Sequence, residues 1–492
     1  MVVSRRFFRD LSFSRRGLWI SCMTLLALGL AAAAVVDTVV RPARERQALS
    51  AWTPDVLESL LTLWREGGLH PADWMDDPLL EIIAMMQHGN TPRALERARE
   101  LTLLPEPPAG VHFLLGLHHL DGGNPGPAAD HFEEEDRHHP HPLAKRFLLD
   151  TLARGRMESR IDALGQDPDY APLMRGRYWM RTGLRRGDWG RVLKHFWIAE
   201  YTGRTPGAIL LALFSGAIWM GILLHIYPPG FLRPMLGPVF LALALGWVSA
   251  WVTLLAGMAL DQGGWIRDGA DFGGQLLYQL LYVALREEAA KLLLFAPLLP
   301  RVLKRGNELD ALLLGAMVGL GFAIRENLTY FESPFGGAQG VGRFASATLF
   351  HCLLTGSCSL ALTRWVREPA RWTQDSLMTI AAAVGLHGLY NTLQTHPVPG
   401  LGDMSYFAGT CLAIAAMLFF REVATRGTFR GRALSITGLF FWGFCLLINL
   451  ELVLMTLVLP LPAALGIVGQ TVLGAALFAF VFLHHVQEPL VE

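Results

Sequence analysis

Six side chains of the kinds that hydrolyse peptide bonds lie inside long apolar runs. Glu287 and Glu288 fall in LYVALREEAAKLLLF, Glu326 in GLGFAIRENLTYF, His351 in ATLFHCLLTG, and His387 with Asn391 in GLHGLYNTL. Polar groups in hydrocarbon are costly, which makes each a candidate for function. Carboxylates and imidazoles can take a proton from water and return one to a leaving amine. A side-chain amide can hold an oxyanion. Residues four apart on a helix share a face, so Glu287 stacks on Lys291, Phe322 on Glu326 and His387 on Asn391. Glu288, rotated by about 100° from Glu287, is expected to look elsewhere. Lys291 with Glu288 then reads as a buried charge pair that holds the helix and neutralises the site.

The elements carrying these residues are expected to be membrane helices. The chain has 492 residues, 52% hydrophobic and 17% charged, well below the roughly 25% charged of a soluble protein. A first apolar run, Gly17 to Val36, follows a basic leader with Arg5, Arg6, Arg9, Arg15 and Arg16 and reads as a signal anchor, with a signal peptide ending near the alanines at 31–34 as the alternative. Nine more runs follow, near 206–227, 235–259, 273–299, 309–330, 343–363, 376–395, 404–420, 434–458 and 464–484. Each is long enough to cross about 30 Å of hydrocarbon. Arginine and lysine concentrate in alternate short loops: Arg233, then Arg301, Lys304 and Arg305, then Arg364, Arg367 and Arg371, then Arg421, Arg426, Arg430 and Arg432, with only Arg267 opposite. That bias predicts both termini in the cytoplasm of a bacterial inner membrane and residues 37–205 exported. Counted from the outer end of each run, Glu287 lies about 14 residues deep, His351 and His387 about 8, and Glu326 about 4. They are expected to meet in one cavity.

The fold class expected is therefore all-α: a polytopic bundle of about ten transmembrane helices with an inserted helical domain. The divisions are a leader 1–16, an anchor 17–36, an exported domain 37–205 and a nine-helix membrane domain 206–492. In the exported part, Gly116, Ala128, Phe132 and Pro140 stand at tetratricopeptide-repeat spacing. The histidines at 118–119 and 138–141 lack the carboxylate or cysteine pattern of a metal site. The five cysteines all lie in apolar runs and form no disulfide framework. A formal net charge of zero gives no support for a nucleic-acid partner. The partners expected are the bilayer and a membrane-anchored protein substrate.

On these residues the sequence resembles the PrsW family of intramembrane proteases, related to the CAAX prenyl endopeptidases. The matching motifs are Glu287, Glu288 and Lys291; Phe322, Glu326 and Asn327; Arg343, His351, Thr355 and Gly356; and His387, Gly388 and Asn391. Four motifs in order on four successive runs cover about 265–395, the expected catalytic core. The resemblance implies an endopeptidase in which Glu287 activates water, His387 binds or polarises it, Asn391 donates to the oxyanion and His351 is a second water ligand or general acid. Arg343 is a charge partner, and the role of Glu326 is open. No cofactor is required by this reading. A zinc-dependent rival would use Glu287, His351 and His387. There is no HExxH motif. Gly400 to Asp403 spells GLGD but has no second buried aspartate to pair with. The competing classes are a proton-coupled transporter and a non-catalytic scaffold built on the same polar residues.

Overall fold

A computed structural model describes residues 14–40, 79, 81–82, 85, 90–155, 157–174, 176–201, 204–225, 233–263, 271–331, 340–395, 407–426, 435–457 and 459–486. Gly400 to Asp403, most of the leader and the loop arginines Arg267, Arg430 and Arg432 lie outside these residues. Every regular element among the described residues is a helix. The chain divides into two compact units, Met1–Glu45 with Arg204–Glu492, and Arg46–Gly203.

In the unit Arg46–Gly203 the helices form successive hairpins: α2 (Thr91–Thr102), α3 (Val111–Asp121), α4 (Pro125–His138), α5 (Pro142–Arg154), α6 (Glu158–Leu164), α7 (Gly176–Arg185) and α8 (Trp189–Tyr201). Pro at the first turn of α4 and of α5 suits a helix start, where its missing N–H would be unpaired anyway. The core is a trio of rings, Phe113, Phe132 and Phe147, with centroids 5.0–5.4 Å apart. Gly116 is required here, because a β-carbon would fall 2.6 Å from the Phe132 ring. Buried Glu135 accepts from the N–H of Gly110 (2.7 Å) and of Phe113 (3.1 Å), satisfying donors at the start of α3. Tyr170 and Tyr178 donate to Asp136 (2.5 Å) and Asp150 (2.6 Å), tying later helices to earlier ones.

The other unit begins with α1 (Arg15–Val35), extended by a π-helical turn Val36–Val40. There follow α9 (Pro206–His225), α10 (Leu236–Gly263) and a long rod. The rod runs from α11 (Phe272–Tyr278) through a π turn Gln279–Ala284 into α12 (Leu285–Phe295), then through a 3-10 turn Ala296–Leu298 into α13 (Leu299–Arg305). Next come α14 (Glu308–Tyr330) and α15 (Gly340–Arg343), which continues through a π turn Phe344–Thr348 into α16 (Leu349–Arg367). The last four are α17 (Pro369–Thr395), α18 (Ala408–Arg426), α19 (Ile436–Thr456) and α20 (Leu461–Val486).

Among the described residues, six helical stretches are long and apolar enough to cross a membrane: Arg15–Val40, Pro206–His225, Leu236–Leu260, Gly340–Arg367, Ala408–Thr425 and Ile436–Thr456. The chain is a multi-pass membrane protein. The other four expected runs are also helices, and three of them carry the polar residues singled out above.

Helix α14 is the hub. It is buried without a break from Leu309 to Ala323, as befits a helix apolar on all sides. Its glycines let neighbours approach closely: a β-carbon on Gly319 would fall 2.3 Å from the carbonyl oxygen of His351 in α16, and one on Gly321 2.1 Å from that of Leu243 in α10. The first helix packs on α19, where Trp442 donates to Ser21 Oγ and Asn449 to the Leu25 carbonyl, both at 2.7 Å.

Candidate active site

Four segments, α12, α14, α15–α16 and α17, bring the predicted residues together. Lys291 is the centre: fully buried, it donates to Glu288 Oε1 at 2.8 Å and to His351 Nδ1 at 3.0 Å. Its ammonium also lies 3.6 Å from Glu287 Oε2 and 3.9 Å from the centre of the Phe322 ring. Glu326 Oε2 accepts from Arg343 at 2.7 Å and pairs with His351 Nε2 at 3.1 Å. Arg343 also donates to Asn327 at 2.6 Å and stacks over Tyr330. His387 binds Glu288 Oε1 through Nδ1 at 2.9 Å, and its Nε2 lies 3.6 Å from Glu287 Oε2. The charge pair of Lys291 and Glu288 stands as expected from sequence.

Glu288 corrects one expectation. It does not look away from Glu287; both carboxyl groups reach Lys291 and His387. Lys291 lies at i+4 from one and i+3 from the other, and both spacings bring side chains into contact. The side chain that turns away is Arg286, which stacks over Tyr282 at 4.4 Å.

The π turns help to aim these groups. Arg343 and His351 are eight residues apart, which would set them roughly 80° out of phase on a regular α-helix. The intervening Phe344–Thr348 turn, with its wider i to i+5 closure, takes up that offset. Both side chains then reach the same oxygen of Glu326.

These contacts fix the two imidazoles. An ammonium can only donate, so Nδ1 of His351 accepts and its Nε2 carries the hydrogen toward Glu326. Glu288, held by Lys291, is the acceptor for Nδ1–H of His387, which turns Nε2 of His387 toward Glu287. The buried set holds three carboxyl groups, Glu287, Glu288 and Glu326, against two cations, Lys291 and Arg343. The surplus carboxyl is Glu287, whose Oε2 is buried with no hydrogen-bond partner. A donating water or a metal cation fits that place, since a buried polar atom without a partner is costly.

A cavity of about 840 Å³ opens on this corner, lined by Glu287, Glu326, Arg343, His351, His387 and Asn391. Glu288 and Lys291 sit behind it. Donor atoms of Glu287, His351 and His387 lie within 4.8 Å of one another. Oε2 of Glu287, which has no hydrogen-bond partner, and Nε2 of His387 suit a divalent cation, and the Glu288–His387 pair matches the carboxylate that commonly orients a metal-bound histidine. The third donor, His351, has Nδ1 on Lys291 and Nε2 on Glu326, and one of the two would have to let go.

One residue was missed, and one that was visible had no predictable partner. Gln279 lines the cavity and accepts from Asn391 Nδ2 at 3.3 Å; a lone glutamine two turns before Glu287 was the available signal. Glu451 of α19, visible as an acid in an apolar run, had no foreseeable partner. Its Oε2 accepts from the N–H of Val341 at 2.6 Å, at the start of the helix that bears Arg343.

Residues 236–420 match the model of the PrsW family intramembrane metalloprotease. That stretch contains every residue of the cluster and leaves α19, α20 and the unit Arg46–Gly203 outside it. No curated protein and no solved structure matches the chain.

Proposed function

We propose, from the premise that the chain belongs to the PrsW family of intramembrane proteases through residues 236–420, that it hydrolyses peptide bonds of membrane-tethered proteins with water activated by Glu287. The observation that carries this reading is Glu287 Oε2, buried with no hydrogen-bond partner and 3.6 Å from His387 Nε2, on two residues that line the cavity. A water donating one hydrogen to each has its oxygen lone pairs free for a substrate carbonyl. Glu287 takes the proton as the oxygen attacks, and then delivers it to the leaving amine. Glu288 holds His387 with Nε2 toward the water, and Lys291 holds Glu288. Asn391, on the cavity wall one turn from His387, donates to the oxyanion, and Gln279 orients its amide. Arg343, fixed by Glu326, places positive charge on the same wall. His351 is held between Lys291 and Glu326, which gives it a positioning role.

The second reading is metal-dependent, favoured by the mutual approach of Glu287, His351 and His387. A zinc ion held by these three would supply Lewis-acid polarisation and a more acidic water. The transporter and the scaffold gain nothing from a match to a protease family.

The topology we propose is ten crossings with both termini in the cytoplasm of an inner membrane. The unit Arg46–Gly203 then faces the exported side, where its repeated helical hairpins serve as a tetratricopeptide-like surface for recruiting substrate. The alternation of arginine-rich loops supports that orientation.

The test uses detergent-purified wild type, Glu287→Gln and His387→Ala with a panel of single-span membrane proteins, with and without chelator. The account predicts fragments from wild type alone, insensitive to chelator. Loss with chelator and recovery with zinc would replace the metal-free mechanism by the second reading. Fragments from both variants would refute the site.

A further inference from the structure

The cavity that holds the catalytic corner has a second kind of wall. Its polar groups Glu287, His387 and Asn391 stand on α12 and α17, whereas Thr471, Leu473 and Gly474 enter the lining from α20, which lies beyond the matched residues 236–420. Helix α20 is anchored on the bundle: it packs on α15, α18 and α19, and its Ala475 is buried in the main apolar core. The wall it offers is carbon. Thr471 donates its hydroxyl to the Ile467 carbonyl at 3.0 Å, and its methyl group lies 3.4 Å from where a β-carbon on Gly342 would stand. Leu473 is 77% exposed although it lines the cavity. On a helix of the ten proposed crossings that exposed face looks to lipid, so the cavity meets the bilayer here.

Gly319 and Gly321 of α14 are small because a neighbouring backbone passes over them. Two glycines line the cavity among the described residues, Gly342 and Gly474. A β-carbon on Gly342 would meet the Thr471 methyl at ordinary contact distance, whereas one on Gly474 would meet nothing within 4 Å. Packing within the described chain gives no reason for the missing side chain at 474, and the space over it belongs to the cavity. We propose that Gly474 is a specificity-determining residue. The space over it receives a bulky apolar side chain of the substrate, while the backbone of that segment lies among Glu287, His387 and Asn391. The proposal rests on the reading that peptide bonds are hydrolysed at Glu287. A membrane-tethered segment is rich in large apolar side chains, and a carbon wall gains by burying them. A polar side chain would gain little there, because the hydroxyl hydrogen of Thr471 is already spent. The chemistry then comes from the family-matched stretch and the choice of substrate from a helix outside it.

The first readout needs no cleavage. In full-length Glu287→Gln protein in detergent, p-benzoylphenylalanine is placed at Leu473 or, as a control, at Leu293, a 65% exposed position of α12 outside the cavity lining. The probe is a synthetic single-span peptide of leucine and alanine. Cross-linking is expected from 473 and not from 293; equal labelling, or none from 473, overturns the inference. The second readout varies the residues beside the cleaved bond of a single-span substrate, one at a time, between alanine and phenylalanine. At one of these positions Gly474→Leu should lower the ratio of kcat/KM for phenylalanine over alanine by at least about tenfold, since a single methylene in a hydrophobic pocket is worth roughly that much. Gly474→Ala should lower it by less. An unchanged ratio, or a fall shared equally by both substrates as a merely structural role would give, overturns the inference. Labelling from 473 with no cleavage by wild type would sink the hydrolysis reading while supporting the apolar wall; cleavage by wild type with no labelling from 473 would sink this inference alone.

Discussion

Glu288→Gln isolates the part of the site that is not on the cavity wall. Glu288 Oε1 accepts two bonds, from Lys291 at 2.8 Å and from His387 Nδ1 at 2.9 Å. Glutamine keeps the size and one oxygen, so the packing is retained while the charge is lost. Unit charges 2.9 Å apart interact by about 5–6 kcal/mol at an effective dielectric near 20. The carboxylate charge is shared by two oxygens, and only part of a positive charge develops on His387 as Nε2 accepts a hydrogen from the attacking water. Half that figure, about 3 kcal/mol, corresponds to roughly a 10²-fold fall in kcat. The corresponding change in a Ser-His-Asp triad, where the acid also fixes a histidine tautomer, costs about 10⁴. The expected fall is therefore about 10² to 10⁴ in kcat with KM nearly constant, measured by progress curves on a cleaved single-span substrate. A Glu288→Gln enzyme within threefold of wild-type kcat would refute the argument that Glu288 sets the tautomer of His387.

Gly319→Ala should cost about 10²-fold in kcat, because its β-carbon would overlap the His351 carbonyl and push α16 from α14; Gly237→Ala, where no atom lies within 4 Å of the new carbon, is the matched control. An active Gly319→Ala enzyme would contradict the close packing. Glu451→Leu strands the buried N–H of Val341 and should lower the thermal midpoint in detergent, at a cost of about 1–3 kcal/mol, while Glu451→Gln keeps the acceptor and most of the stability. Equal melting of the two variants would count against that helix-start contact. Gly116→Ala drives a methyl into the Phe132 ring and should destabilise the α3–α4 hairpin by about 1–3 kcal/mol, read as faster amide exchange in 111–138.

The sequence made the catalytic corner legible for a physical reason. Glu287, Glu326, His351 and His387 are conspicuous because a bilayer tolerates such groups only when they have partners, and helix periodicity put the right pairs on common faces. What periodicity could not supply was the third dimension. Glu288 reads as misaligned until Lys291 is seen to sit between both carboxyl groups. The phase of Arg343 against His351 depends on a π turn at Phe344–Thr348, which leaves no mark in hydropathy. Glu451 is an acid in an apolar run, yet its partner is a backbone N–H 110 residues away. The contact of His112 with His131 was equally hidden, because the two histidines come from different helices. The glycines of α14 occupy close-contact positions, since small residues are what membrane helices use to approach one another.

The central claim is that Glu287 activates water at the cavity wall. Cleavage of one membrane-tethered substrate in ¹⁸O-water, by wild type, Glu287→Gln and Glu287→Asp, tests it most directly by mass spectrometry. The account predicts one ¹⁸O in the new C-terminal carboxyl group with wild type, no product with Glu287→Gln, and slow cleavage at the same bond with Glu287→Asp. The same labelled fragment formed by Glu287→Gln at the wild-type rate would contradict it.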